Sequence, residues 1–396
     1  MSDINTRARL PGFFNLSLPE RRNCLAELSV LSQEDFFLLD QGLSLADADL
    51  MSENVIGTFA LPLSIAPNFM VDGQPVLVPM VTEEPSIVAG SAKMAKIVAG
   101  SGGFITEVDE SIMRGQVQVF GLPDLDQALA NLIASKQELI ERLNQSCPNM
   151  IKRGGGVIRL DFRVLASRRG PFLVVEPRIN VVDAMGANII NSLMEHLAEL
   201  LKPVLGGHIG LRILSNLCDE RLVKARCSIP VNLLSTDDKH DNGPDIADKI
   251  CLAQALAEAD IYRACTHNKG ILNGIDALAL ATGNDTRALS AAAHAYAAHT
   301  GSYQPLTSIN CQSAYLKADI CLPLAVGVVG GHGAFHTGVK NARKILGPFA
   351  ISSKKLASVM ASVGLAQCLA ALFALSSEGI QKGHMKLHDK KLKARV

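Results

Sequence analysis

One close pair of residues could form a nucleophile and its base: Cys265 stands two places before His267. A cysteine thiolate activated by an imidazole supports acyl transfer. Residues this close along a helix or strand rarely face each other, so the pair predicts a cysteine acyltransferase only as an alternative. The nine cysteines include no CxxC pair and no Cys/His cluster at zinc-finger spacing, and no metal is implied.

A second candidate is the segment DAMGAN, residues 183–188, which follows a strand-like run and precedes a helical one. Asp183 is predicted to cap that helix. The free backbone N–H groups at a helix start can hold a phosphate or an amide of a cofactor. The GxGxxG sequence of dinucleotide-binding domains does not occur in this context, since the glycines at 154–156 and around 327–333 fail the spacing.

The elements that must position this segment alternate between strands and helices. Val117 and Val119 alternate with glutamines, as in a half-buried strand, and a helix is predicted from Asp124 to about Asn144. A hairpin, a second helix and a last strand follow at 157–165, 172–182, 187–205 and 209–214. The order β-α-β-β-α-β predicts a ferredoxin-like unit.

The regions on either side of this unit are long, Ala-rich and helical. They predict a small domain, 111–218, inserted into a large helix-rich domain that consists of 1–110 and 219–376. The predicted fold class is therefore α/β, of the α+β kind.

Two features outside the unit predict further helices. Ser17 with Glu20 and Ser32 with Asp35 have the spacing of helix starts. The uncharged run 356–377 is long enough to cross a bilayer. Its Ala, Ser and Gln content predicts a buried helix instead.

Composition indicates a globular, cytoplasmic protein. The chain has 396 residues, 48% of them hydrophobic, which is enough for two domains with a sizeable core. Basic and acidic residues balance at 38 each, so no net field attracts nucleic acid or an anionic membrane. The polar N-terminus lacks the apolar stretch of a secretory signal, and scattered cysteines fit a reducing cytosol.

Four further segments carry a family resemblance: ENVIGTF at 53–59, TEEPSIVAG at 82–90, THNKGILNGIDALALATGND at 266–285 and EGIQKGHM at 378–385. With DAMGAN they occur in the order found in hydroxymethylglutaryl-CoA reductases, and the chain closely resembles the soluble bacterial (class II) form. The resemblance implies reduction of 3-hydroxy-3-methylglutaryl-CoA to mevalonate and CoA by two hydride transfers, through a mevaldyl-CoA hemithioacetal and mevaldehyde. It also implies a homodimer, or a higher homo-oligomer, with the active site at the subunit interface.

The resemblance assigns four catalytic residues. Lys269 matches the ammonium that stabilises the oxyanion on the substrate carbonyl. Glu84 matches the proton donor, a role that a carboxylic acid fulfils near neutral pH when its surroundings raise its pKa. Asp285 matches the carboxylate that joins the two in one hydrogen-bonded network. His384 matches the histidine that protonates the departing CoA thiolate.

The resemblance also assigns binding residues. Residues at substrate positions are Ser86, Arg263, Asn273 and Gln367. Residues at cofactor positions are Asp183, Met185, Gly186, Asn188 and Asn216. Polar side chains at such places can also satisfy backbone groups, which is the simpler alternative for each.

Two departures from the family pattern affect cofactor choice and lid closure. Family members that use NADH can carry an aspartate before Gly154, whereas this region reads SCPN at 146–149, with Lys152 and Arg153 nearby. Two cations and a missing acid favour NADPH over NADH. The segment 377–396, which carries His384, is short for the family's C-terminal flap, so lid closure is expected to be weaker or supplied differently. A catalytically weak paralogue that senses CoA or nucleotide is therefore a further alternative.

Overall fold

The structure, a computed structural model, describes residues 8–236, 242–331 and 336–377. The helices in these ranges are α1 (Leu18–Glu27), α2 (Gln33–Gln41), α3 (Leu45–Met51), α4 (Ile87–Ala99), α5 (Leu125–Gln145), α6 (Pro148–Ile151), α7 (Ala187–Leu201), α8 (Gly243–Ala259), α9 (Ile261–Thr282), α10 (Thr286–Ala297), α11 (Thr337–Leu346) and α12 (Ser353–Ser376). The strands are β1 (Leu63–Val71), β2 (Gln74–Val81), β3 (Ile105–Val108), β4 (Ile112–Phe120), β5 (Gly156–Leu165), β6 (Phe172–Asn180), β7 (His208–Ser215), β8 (Leu222–Pro230), β9 (Thr307–Gln312) and β10 (Tyr315–Pro323).

The predicted ferredoxin-like unit is confirmed. Its elements follow in the order β4, α5, β5, β6, α7 and β7, with the short α6 added after α5. The four strands form one antiparallel sheet in the order β5-β6-β4-β7, so the first strand of the unit is internal and pairs with its third and fourth strands. The predicted hairpin is the β5–β6 pair, with Val157 opposite Ile179.

Helix starts and apolar spacing explain the helices of this unit. Asp124 accepts a hydrogen bond from the N–H of Gln127 and so caps α5. Leu132, Leu139 and Leu143 then lie on one buried face of that helix. An added Cβ at Gly115 of β4 would lie 2.3 Å from the sulfur of Met194, so glycine allows α7 to pack close to the sheet.

The large domain contains more strand than the sequence predicted. The hairpin β1–β2 and a four-stranded sheet in the order β3-β8-β10-β9 lie among its helices. In β8, Val223, Ala225, Cys227 and Ile229 are buried and alternate with exposed or half-buried residues. The predicted helix-rich large domain therefore contains strands that the sequence analysis did not place, although the period-two alternation of β8 is visible in the sequence.

The chain leaves the large domain and returns to it at two neighbouring strands, and the small unit lies between these two points. β3 precedes the unit and β8 follows it, and the two pair directly with Val108 opposite Val223. The N–H of Asp109 donates to the carbonyl of Leu222 at 3.0 Å, which extends this pairing to the start of the unit.

Helix α12 is the buried helix that the uncharged run predicted. By length and composition it could cross a membrane, but 89% of its most apolar window is buried inside the protein. It packs against α9 and α4, and an added Cβ at Gly364 would lie 2.9 Å from Ile275 of α9. α12 is therefore the central core helix of the large domain.

Two further sequence predictions can be placed on the fold. Both N-terminal helix starts are confirmed as capping boxes, Ser17 with Glu20 and Ser32 with Asp35. The domain boundaries stay predictions. A second hydrophobic core formed almost wholly by residues of 111–218 supports them, although Ala292 and Ala325 of the large domain join it.

Candidate active site

Two of the predicted catalytic side chains lie together. The ammonium of Lys269 on α9 is 3.6 Å from a carboxylate oxygen of Glu84, which lies in the loop between β2 and α4. Their side chains are 62% and 41% exposed, so the pair is open to a ligand. The neighbouring Glu83 is exposed, and the N–H of Glu84 donates to the hydroxyl of Thr82 at 3.2 Å, which fixes the loop. A cation and a carboxylic group at this separation can serve the same reacting oxygen.

Asp285 lies at the N-cap of α10 and its contacts are local. Its side chain accepts hydrogen bonds from the N–H groups of Arg287 and Ala288 and from the guanidinium of Arg287. The hydrogen bonds from Arg287 lower the pKa of this carboxyl. Among the described residues, the three-membered network expected from the sequence is limited to Lys269 and Glu84. The Oδ1 of Asp285 accepts from the two capping N–H groups, and its Oδ2 accepts from the Arg287 guanidinium.

The predicted substrate residues lie on α9 and on two helices that pack against it, α4 and α12. Arg263 is half-buried in its first turn, and Asn273 lies one turn after Lys269 on the same face. Gln367 projects from α12, and its buried carbonyl oxygen has no hydrogen-bond partner among the described groups. Ser86 is the N-cap residue of α4, with a φ of 79°.

The predicted cofactor segment forms the entry to α7. The N-cap residue is Gly186, in the left-handed conformation with a φ of 104°, so the prediction that Asp183 caps this helix is wrong. The carboxylate of Asp183 instead accepts from the N–H of Ser353 at 2.9 Å. Met185 is half-buried, and Asn188 is exposed.

This segment fits an anionic dinucleotide. An added Cβ at Gly186 would lie 2.8 Å from Val181, so no side chain can replace the glycine, and the first turn of α7 carries no acidic residue. Its open N–H groups suit a phosphate or an amide. Asn216 is exposed just after β7, and Lys152 and Arg153 are exposed just after α6. Within the described ranges, no group of three His, Cys, Asp or Glu side chains could hold a metal ion.

Comparison with known proteins decides the family. The sequence model of hydroxymethylglutaryl-coenzyme A reductase matches residues 17–389. The chain belongs to this family. It is 44% identical to the 3-hydroxy-3-methylglutaryl-coenzyme A reductase of Archaeoglobus fulgidus, over 97% of this chain and 86% of that protein. It is 35% identical to the probable reductase of Borreliella burgdorferi, over 96% of this chain and 85% of that one.

Solved structures of this family have the same fold. The reductase of Streptococcus pneumoniae superposes with a TM-score of 0.89 at 41% identity, over 96% of this chain and 90% of that one. A class II reductase of the same organism bound to NADPH in open conformations has a TM-score of 0.88 at 40% identity, over 93% of this chain and 99% of that one. The resemblance seen in the sequence is confirmed: the chain is a bacterial-type hydroxymethylglutaryl-CoA reductase, an oxidoreductase that acts on a CoA thioester. The sensor alternative is not favoured.

The reductase anchors Lys269 through the two residues before it. The sequence reasoning considered His267 only as a base for Cys265 and did not single out Asn268. Asn268 is fully buried; its side chain accepts from the N–H of Leu306 and donates to the carbonyl of Gln304, both at 2.9 Å. His267 lies 2.6 Å from the hydroxyl of Thr307. The contacts of Asn268 and His267 attach the helical turn before Lys269 to one segment, 304–307. Three consecutive polar residues, His267, Asn268 and Lys269, inside a helical segment were the available signal.

The cysteine acyltransferase alternative does not fit this arrangement. His267 is buried whereas Cys265 is exposed, and the sulfur near His267 is that of Cys368, at 3.3 Å. Burial raises the pKa of the Cys368 thiol to about 12 and lowers the pKa of His267 to about 4. Neither a thiolate nor an imidazolium is therefore favoured there, and the pair is structural.

Asp276 is a second residue that the sequence reasoning missed. It lies two turns after Lys269 on the same side of α9, and one of its oxygens is buried without a hydrogen-bond partner among the described residues. Burial raises the pKa of Asp276 to about 6, and the Lys269 ammonium opposes that rise. The i, i+7 spacing was the signal that could have found it. The predicted catalytic His384 lies outside the described residues, as does the rest of 378–396.

Proposed function

We propose that this reductase reduces the thioester of 3-hydroxy-3-methylglutaryl-CoA at the Lys269–Glu84 pair, with NADPH as the hydride donor. One thioester, two NADPH and two protons would give mevalonate, free CoA and two NADP⁺. The observation that supports this most directly is the 3.6 Å approach of the two side chains in an accessible position.

Each residue of the pair has a defined task in the proposal. Lys269 stabilises the negative charge that develops on the substrate oxygen, and Glu84 delivers a proton to that oxygen. Because Asn268 and His267 hold the helical turn beneath it, Lys269 needs little reorganisation as charge develops. His384 is proposed to protonate the CoA thiolate, and Asp285, the N-cap residue of α10, to complete the network with the pair.

The proposed substrate contacts come from α4, α9 and α12. Arg263 suits the substrate carboxylate, because a guanidinium donates two parallel hydrogen bonds. Asn273 shares the face of Lys269. The side-chain carbonyl of Gln367, which has no partner among the described residues, can accept a hydrogen bond from a substrate hydroxyl. Ser86 begins α4 two residues after Glu84.

NADPH is proposed as the physiological cofactor. When bound, it supplies the hydride. The first turn of α7 with Asp183, Met185, Gly186 and Asn188, together with Asn216, would hold it. Lys152 and Arg153 are exposed and can neutralise a 2′-phosphate. The NADPH-bound relative from Streptococcus pneumoniae supports this preference.

We further propose a cytoplasmic homodimer. All nine cysteines are unpaired, as in a reducing compartment. The segment between α3 and β1 exposes Ile56 and Phe59, at 103% and 91% of their reference surface. Apolar residues this exposed, within the ENVIGTF segment, suit contact with a second subunit.

Cofactor absorbance tests the catalytic proposal. Purified protein should oxidise two NADPH per thioester consumed, and NADH should be used less well. Lys269→Met should lower kcat about 100-fold or more, because an oxyanion donor is lost. Lys249→Met, an exposed lysine on α8, is the control and should leave kcat unchanged. A Lys269→Met enzyme that keeps most of its kcat would rule out the assigned role.

A further inference from the structure

Arg221 is a buried cation at the junction of the two domains. Only 3% of its surface is exposed, and it stands between β7 and β8. Its guanidinium donates to the carbonyls of Val326 at 2.6 Å, Ala184 at 3.2 Å and Met185 at 3.3 Å. Among the described residues it forms no ion pair. Burial lowers the pKa of Arg221 to about 10, so it stays charged at neutral pH.

Two of the three acceptors belong to the proposed cofactor segment, 183–188. A buried charge is costly, and here it is balanced by backbone carbonyls instead of a carboxylate. Ala184 and Met185 lie outside the helices and strands of the fold, and the guanidinium supplies a donor to each of their carbonyls. Arg221 therefore fixes the segment whose N–H groups are proposed to meet the cofactor.

The third acceptor, the carbonyl of Val326, connects the guanidinium to the turn that contains Asn284 and Asp285. Val326 is followed by Gly327, whose N–H donates to the side chain of Asn284 at 2.8 Å, and Asn284 immediately precedes Asp285. The N–H of Val328 donates back to the carbonyl of Asp183 at 2.9 Å. A continuous path of hydrogen bonds thus connects the cofactor segment with the turn that holds Asp285.

Gly327 permits this close approach. An added Cβ there would lie 2.6 Å from the backbone nitrogen of Met185 and 3.1 Å from the carbonyl carbon of Ala184. The obstacle is backbone, which cannot rotate away as a side chain can. A second set of bonds holds the other end of the segment, where Ser353 contacts Val182 and Asp183. Val182, a β-branched residue, has a φ of 54°, so these contacts maintain a strained backbone.

We propose that Arg221 is a positioning residue that holds the cofactor segment in register with the Asn284–Asp285 turn, so that NADPH binds in line with the reduction site. The inference rests on the proposed cofactor role of 183–188. Arginine is required because one planar guanidinium donates in several fixed directions at once. Arg221 touches no reacting atom in this arrangement and acts through the segment alone.

Ligand binding to the purified full-length protein tests this inference. Two affinities are measured for Arg221→Ala and Arg221→Lys. The affinity for NADPH is measured by cofactor fluorescence, and the affinity for 3-hydroxy-3-methylglutaryl-CoA (HMG-CoA) by calorimetry. Arg221→Ala should weaken NADPH binding about tenfold or more, since hydrogen bonds to a charged group are lost. HMG-CoA affinity should change less than about twofold, as the acceptors lie in the cofactor segment. Added guanidinium ion should restore part of the NADPH affinity of Arg221→Ala.

Gly327→Ala provides a second test that keeps the charge of Arg221. It allows the inference to be tested even if Arg221→Ala does not fold. It should weaken NADPH binding in the same selective way, because the added methyl displaces Met185. Gly206→Ala is its control, since the nearest atom to an added Cβ there is 3.8 Å away. Equal losses for both ligands, or an unchanged NADPH affinity in both variants, would overturn the inference. A wild-type protein that binds no NADPH would instead refute the proposed cofactor.

Discussion

His267 shows how a single buried residue can position Lys269, the neighbouring residue with a proposed catalytic role. It carries no proposed chemistry, yet its contact with Thr307 helps fix the helical turn that presents Lys269. Its other ring nitrogen, Nδ1, is buried without a partner among the described groups. The imidazole must therefore stay neutral for the turn to remain in place.

This burial predicts a pH dependence of stability. Burial lowers the pKa of His267 from 6.5 to about 4, so the folded state binds this proton less readily than the unfolded state. The resulting stability is fully present above pH 6.5 and is lost as the pH falls towards 4. The loss should reach about 3 kcal/mol, as one pKa unit corresponds to about 1.4 kcal/mol.

Urea unfolding of the wild type and His267→Gln between these pH values measures the effect. The difference in unfolding free energy between the two proteins should shrink as the pH falls. Taking the difference is necessary because Asp276, whose pKa is raised from 3.8 to about 6, has the opposite slope in this range. A difference that is independent of pH would show that His267 is not buried as described.

At this scale the sequence indicated candidate catalytic residues but not the residues that support them. Lys269 and Glu84 were proposed because each belongs to a distinctive segment; their side chains lie 3.6 Å apart, and their catalytic roles stay predictions. Arg221 was missed because its acceptors are distant in sequence, whereas Asp276 was missed because its spacing from Lys269 on α9 was not considered. The cap at Asp183 was mispredicted because Gly186, with a positive φ, can begin the helix three residues later.

Among the elements, the contact between α9 and α12 determines where the site lies. Glycines allow the two helices to approach: an added Cβ at Gly274 would lie 3.0 Å from Val363, and one at Gly364 would lie 2.9 Å from Ile275. Lys269, Asn273 and Gln367 all project from this helix pair. A change in helix separation would therefore move Lys269 relative to Gln367, one of the proposed substrate contacts.

Overpacking this contact should be costly. Gly364→Val is expected to lower the free energy of unfolding by about 1–3 kcal/mol, because buried Ile271 and Ile275 cannot yield freely. Gly270→Ala on the facing helix α9 is the control, since an added Cβ there meets none of the described residues within 4 Å. It should raise stability by about 0.5–1 kcal/mol through helix propensity. Equal effects of the two substitutions, measured in urea, would contradict the described packing.

Helices and strands could be predicted wherever the residues that define them lie close together in the sequence. The alternation in β4, the cap at Asp124 and the hairpin turn sufficed for the small unit. The β1–β2 hairpin was missed for a physical reason: β2 is buried over most of its length, and such strands lose the alternation of exposed and buried residues.

For the whole molecule, the exposed ENVIGTF segment leads to a prediction about assembly. The proposed dimer should dissociate more readily in Phe59→Asp, with a dimer dissociation constant raised about tenfold or more, because a buried aromatic contact is replaced by a charge. Light scattering coupled to size exclusion measures this. Ile133→Asp alters a 65% exposed residue on α5 of the small unit and should leave the dimer unchanged. A monomeric wild type would refute the dimer.

The direct pairing of β3 with β8 has a consequence for the origin of the two-part architecture. Because Val108 and Val223 already face each other, more than a hundred residues occupy the place of a simple reverse turn. An ancestral gene could accept such an insert without any shift of register in the host sheet, since both ends of the insert lie side by side. The proposed nucleotide-binding unit could thus have been acquired as a module, while the proposed thioester site kept its own scaffold.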